Sequence, residues 1–127
     1  MSMTIMSKTL RQQPGQEKPS IYERAIMTWG ENLQLELIVE ECAELIRAIQ
    51  KYKRKLATGG LYLEAREDMA EEVADVSLMI EQMKLMRLND AAHPFKDDIN
   101  RWMEYKLARL EERLEIAKRE KESGEKK

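Results

Sequence analysis

The chain holds one cysteine, Cys42, and one histidine, His93, in 127 residues. A lone thiol closes no intramolecular disulfide, and the apolar neighbours Ile38 and Leu45 make Cys42 read as a small buried hydrophobe in a reducing compartment. His93 precedes Pro94 with no second His or Cys at ligand spacing, so it reads as a loop residue. Glycine and proline are scarce, at 5 and 3 residues, too few for strands joined by turns. A basic excess is missing too. Lys and Arg number 22 against 24 Asp and Glu, for a net charge of −2, whereas binding nucleic acid by phosphate neutralisation wants a positive surplus. No segment approaches the roughly 20 apolar residues that span a bilayer, and MSMTIMSKTLRQQPGQEKPS lacks the apolar stretch of a signal peptide. The expectation is one cytoplasmic, all-α domain with neither a nucleic-acid nor a membrane partner.

What is present is charge, 36%, and hydrophobicity, 43%, in helical rhythm. Residues 1–18 show no apolar stripe and read as a flexible arm. Ser20 followed by Glu23 is a capping-box pattern, which predicts a short helix from Ile21 to Trp29 that ends at Gly30. A second helix is predicted from Asn32 to Leu56, because Leu35, Ile38, Cys42, Leu45, Ile49, Tyr52 and Leu56 step by threes and fours along one seam. Thr58, Gly59 and Gly60 break it. Met69, Val73, Val76, Ile80 and Met83 carry the same rhythm into a third helix that stops near Asn89 and Asp90. After Pro94, Ile99, Met103, Leu110, Leu114 and Ala117 mark a fourth. The domain is thus expected over 19–118, with a charged, disordered tail over 119–127.

Two windows lack any cation. Glu31, Glu36, Glu40, Glu41 and Glu44 fall between Glu31 and Ile46 with no Lys or Arg, and Glu67, Asp68, Glu71, Glu72, Asp75 and Glu81 fall between Glu67 and Met83 in the same way. Like charges three or four apart repel by about 0.2–0.5 kcal/mol per pair, and the fourth helix avoids this by interleaving signs. A favourable helix dipole fades within one turn, so it accounts for neither Glu40, Glu41 nor Glu44. At about 100° per residue, Glu41 and Glu44 sit roughly 70° and 130° to one side of the second seam, and Glu72 and Asp75 roughly 60° and 120° to the same side of the third. In an antiparallel hairpin such equal offsets share a face, and counting from the Gly-Gly turn puts the pairs within about one helical turn in height. The four carboxylates are expected to converge and to require a hard divalent cation, Mg²⁺ or Mn²⁺. A merely acidic, solvated surface is the alternative.

EECAEL at Glu40 to Leu45, followed by EEVAD at Glu71 to Asp75, resembles the ExxE and ExxD metal motifs of the MazG-like all-α nucleoside triphosphate pyrophosphohydrolases. WGENLQ from Trp29 and LMIEQM after the second motif resemble the same family, and the likeness spans roughly Ile21 to Arg113. The resemblance implies a four-helix-bundle-like domain that assembles as a homodimer. It implies Mg²⁺-dependent hydrolysis of a (d)NTP between the α- and β-phosphates, to a monophosphate and pyrophosphate. It also implies that Glu41, Glu44, Glu72 and Asp75 serve as catalytic metal ligands, with Glu40 a candidate for positioning water.

For the phosphates, Lys106, Arg109 and Arg113 follow one stripe of the fourth helix, and Lys106 and Arg109 resemble the basic feature of the family's last helix. Lys51, Lys53, Arg54 and Lys55 close the second helix, with Arg54 the third phosphate-binding candidate beside Lys106 and Arg109. Helix-dipole and surface ion pairing are the bland readings of both sets. Trp29, Asn32 and Gln34 are candidates for a base pocket, with Trp102 or Tyr105 joining from the last helix; core packing is the alternative. The rival to an enzyme is a coiled-coil-like interaction protein built on the 3/4 seams. A same-fold enzyme acting on phosphoribosyl-ATP is also compatible with these residues.

Overall fold

The computed structural model describes residues 18–125, and the expected arm before Lys18 lies outside them. Among the described residues there are four helices and no strand: α1 (Ile21–Trp29), α2 (Glu31–Ala57), α3 (Leu63–Lys84) and α4 (Phe95–Glu125). None is long and apolar enough to cross a membrane. The Ser20 hydroxyl accepts from the Glu23 N–H at 3.1 Å, as the capping pattern predicts. Gly30 separates α1 from α2 at φ 85°, a conformation costly for any residue with a Cβ, and its N–H closes α1 on the Ile26 carbonyl at 2.7 Å.

The antiparallel pair α2 and α3 forms the frame, and its contact uses the apolar seam only in part, at Val76. On α2 the contact stripe runs through Gln34, Glu41, Glu44, Ala48 and Lys51, and on α3 through Asp68, Glu72, Asp75, Met79 and Gln82. Gln34 and Ala48 are the buried residues of α2, and Ala65, Val76, Met79 and Gln82 those of α3. Gln34 donates to Gln82 at one end of the stripe, and Lys51 meets Asp68 at 3.1 Å near the other. Several other seam residues lie on one flank. Leu45 and Ile49 face Met69 and Val73 there across an apolar groove of about 490 Å³, and Cys42, Ile49 and Leu56 are exposed, which corrects the reading of Cys42 as buried.

The third helix ends at Lys84, short of Asn89, because a partner distant in sequence captures the chain. The Glu31 carboxylate at the start of α2 accepts the N–H groups of Arg87 at 2.9 Å and Leu88 at 3.1 Å. Leu88 and Asn89 then take left-handed φ values of 51° and 65°, a conformation asparagine tolerates and leucine adopts only when held. Met86 is fully buried under this turn, and its carbonyl receives the Phe95 N–H at 3.2 Å. Asp90 accepts from Ala92 and His93 at 2.9 and 3.2 Å, and these bonds hold its carboxyl below the usual range.

The helix α4 starts where Pro94 predicts, but it does not close a bundle within one chain. It touches only α3 among the described helices. Every residue from Asn100 to Gly124 is exposed, and the helix continues to Glu125 through the stretch expected to be a disordered tail. The described chain is therefore a three-helix frame with a projecting fourth helix.

Removing one partner of a buried hydrogen bond costs about 1–3 kcal/mol, whereas replacing both with apolar groups is close to neutral. Gln34→Leu is accordingly expected to lower unfolding stability in urea by about 1–3 kcal/mol, and Gln34→Leu with Gln82→Leu to recover most of that loss. A double variant no more stable than the single would show that the amide pair is not the interaction holding this end of the hairpin.

Candidate metal centre

Helical geometry places residues three apart on adjoining turns of one face. Glu41 and Glu44 therefore project together from α2, and Glu72 and Asp75 from α3. In the antiparallel register Glu41 faces Asp75 and Glu44 faces Glu72, and the facing carboxyl raises the pKa of Glu41 and of Glu72. One oxygen each from Glu41, Glu72 and Asp75 lies within 4.8 Å of the others. All four residues are half-buried. Oε2 of Glu41 and Oε2 of Glu72 are shut off from solvent and have no hydrogen-bond partner.

This arrangement raises the cost of ionisation. Burial, then the charge and hydrogen bond of Glu44, then Asp75 and Glu41, push the Glu72 carboxyl up to about 6. Burial followed by Asp75, Glu44 and the exposed neighbour Glu40 raises Glu41 as well. Without a cation, the two carboxyl pairs can relieve their repulsion by sharing protons. The donor set fits a hard divalent ion: it is all oxygen, it is clustered, and two of its oxygens are buried without partners.

The remaining candidates separate. Gln34 is 2% exposed, its Nε2 donates to Gln82 and its Oε1 is buried without a hydrogen-bond partner, so the structure places it in the interior of the hairpin and not on an open surface. Trp29 and Asn32 are exposed at the α1–α2 junction. Lys106 and Arg109 share a groove with Leu110 and Arg113 on the exposed part of α4, where the single chain gives them no carboxylate of the cluster. Arg54 shares a groove with Glu44 and Glu72, and so does Arg47. Arg47 is absent from the sequence candidates although its spacing of three from Glu44 is visible. Of the other acids, Glu31 caps the turn after α3, Asp68 pairs with Lys51, and Glu81 pairs with Lys84 at 2.9 Å.

Compared with known families, residues 30–113 match the sequence model of the MazG nucleotide pyrophosphohydrolase domain. No curated protein and no solved structure matches the chain.

A carboxyl whose pKa is higher folded than unfolded contributes stability that is complete below its unfolded value, here 4.5, and is lost as pH rises through the folded value, about 6 for Glu72. The metal-free protein is expected to lose part of its melting temperature across that window, and Glu72→Gln to flatten the step. Added Mg²⁺ should act in the opposite sense, raising the melting temperature little near pH 5 and fully above about pH 7, because it competes with the same protons. A Mg²⁺ shift that is independent of pH, or equal in Glu72→Gln, would remove these carboxylates from the metal site.

Proposed function

The chain belongs to the MazG nucleotide pyrophosphohydrolase family, and on that premise we propose that it hydrolyses a nucleoside triphosphate, ribo or deoxy, between the α- and β-phosphates. The observation that carries this reading is the convergence of Glu41, Glu72 and Asp75 within 4.8 Å, with the Glu44 carboxyl acting on Glu72 from the facing helix. In the proposed reaction the oxygen of water attacks the α-phosphorus. The bond from that phosphorus to the α–β bridging oxygen breaks, the bridging oxygen leaves on pyrophosphate, and the proton of the attacking water passes to solvent.

Glu41, Glu44, Glu72 and Asp75 are the residues that would hold Mg²⁺, with Mn²⁺ a chemical substitute. When bound, the ion supplies charge neutralisation on the phosphates and a more acidic water. The chain's part is to hold four oxygen donors at one level between two rigid helices, so that little reorganisation is needed as charge develops. Glu40, exposed beside Glu41, is the candidate for orienting the water.

The exposed face of α4 supports a homodimer. Met103, Leu107, Leu110 and Leu114 step by fours and threes and are 53%, 58%, 50% and 61% exposed. Beside them Lys106 and Arg109 are free to reach the phosphates of a partner's site. Trp29 and Asn32 remain the base-side candidates. The 3/4 stepping also favours the reading of a plain interaction protein, but a coiled coil gives no reason for partnerless carboxylate oxygens inside a helix contact.

Incubation with Mg²⁺ and a panel of NTPs, dNTPs and phosphoribosyl-ATP is expected to release pyrophosphate from at least one member, and inertness toward all would overturn the proposal. Glu41→Gln and Asp75→Asn should each lower turnover at least about a hundredfold, in line with the several kcal/mol a metal supplies, without lowering the metal-free melting temperature. Leu110→Glu is expected to shift the sedimenting species from dimer toward monomer; a wild type that sediments as a monomer would refute the assembly.

A further inference from the structure

The two flanks of the α2–α3 hairpin differ in chemistry. One is the apolar groove between Leu45 and Val73. The other is a polar groove of about 450 Å³ that begins at Glu44 and Glu72 and runs toward the Thr58–Gly60 turn. Its α2 wall is Arg47, Lys51 and Arg54. These cations continue the stripe of Glu44 in steps of three, four and three, so the metal candidates and the three cations share one helix face.

Ordinary ion pairing does not account for the set. Asp68 and Glu71 stand on the α3 wall of the same groove, yet only Lys51 pairs, with Asp68 at 3.1 Å and both side chains nearly half exposed. Arg47 and Arg54 take part in no ion pair among the described residues. The cations also lie on one side only. From Glu31 to Ile46 on α2, and from Glu67 to Met83 on α3, no Lys or Arg occurs. An anion extending from the carboxylate cluster thus meets positive charge in the direction of the turn, whereas in the direction of α1 the first cation within the two helices is Lys84, at the end of α3 and paired with Glu81.

Resting on the hydrolase reading above, we propose that Arg47, Lys51 and Arg54 form the subsite for the pyrophosphate half of the substrate, the β- and γ-phosphates. Arg47 lies about 4.5 Å along the helix from Glu44 and Arg54 about 15 Å, so Arg47 reads the phosphate next to the metal and Lys51 and Arg54 reach the terminal one. Guanidinium groups suit this task because their paired N–H donors match two phosphate oxygens at once. Lys51 is held in reserve by Asp68 and exchanges that carboxylate for phosphate. The nucleoside is thereby oriented toward the α1 end of the hairpin.

Inorganic pyrophosphate titrated into the full chain in the presence of Mg²⁺, followed by calorimetry, tests the subsite without turnover. Wild type is expected to bind. Arg47→Ala and Arg54→Ala should each weaken binding about tenfold while Mg²⁺ alone binds as before, Arg47→Lys should recover part of the loss, and Asp68→Asn should tighten binding severalfold by releasing Lys51. Both arginines are exposed, so the variants are expected to melt as wild type does. No pyrophosphate binding by wild type, unchanged affinity in both arginine variants, or an equal loss of Mg²⁺ alone would overturn the subsite. If wild type hydrolyses a triphosphate under any of those outcomes, the hydrolase reading stands and the subsite falls. If it binds pyrophosphate through these residues but hydrolyses nothing on the panel, the subsite stands and the hydrolase reading falls.

Discussion

Two carboxylate pairs facing each other inside a helix–helix contact are the constraint around which the described structure is organised. Antiparallel helices normally meet through apolar side chains, and this pair, beside the buried Ala48, Val76 and Met79, also sets Glu41 against Asp75 and Glu44 against Glu72. The contact contains its own repulsion, so other interactions must hold the register. On one side of the cluster the Gln34 and Gln82 amides bind each other in the interior; on the other, Lys51 binds Asp68, close to the turn. These neutral and oppositely charged pairs bracket the like-charged ones. Because charge within the bracket is unfavourable until a proton or a cation enters, ligand binding and folding stability are linked at the same four residues.

Placing acids in the contact displaces the apolar seams. Leu45, Ile49, Met69 and Val73 are carried to one flank, and the fully buried apolar side chains are few, Met86 and Ala65 being the deepest. The helix that a four-helix bundle would lay over that flank, α4, projects into solvent from Asn100 onward. Both features have one origin: a hairpin that uses its inner stripe for carboxylates must bury its apolar surface elsewhere.

Much of this was legible from residue spacing, and the parts that were not have specific causes. Helices announce themselves by 3/4 apolar steps and by caps, so Ser20, Gly30, the Thr58–Gly60 break and Pro94 mark boundaries that the backbone respects within a few residues. The carboxylate pairs were visible because an uninterrupted acidic window is costly and its period is helical. The end of α3 was not visible, since it depends on Glu31, more than fifty positions upstream, reaching the N–H groups of Arg87 and Leu88. The burial of Gln34 against Gln82 was not visible, because an amide has the same chemistry whether it meets a base or another amide. The apolar seam misled in a subtler way. Periodicity tells which face of a helix is apolar, but not whether that face meets the next helix in the chain or a surface supplied later.

The arginines of α2 show how position along a helix decides between two readings of a charge. Lysines and arginines near a C-terminus are stabilised by the helix dipole, which favours Arg54 and Lys55 in the last turn of α2 whatever else they bind. It does not extend to Arg47. Ten residues separate Arg47 from the end at Ala57, nearly three turns, and the dipole effect is confined to the last one. Nor does a surface ion pair hold it. What Arg47 does have is a place in the polar groove one turn beyond Glu44, next to a cluster that favours a cation. A guanidinium gains nothing from being close to a divalent ion unless an anion lies between them, and under the proposed function a substrate phosphate is that anion.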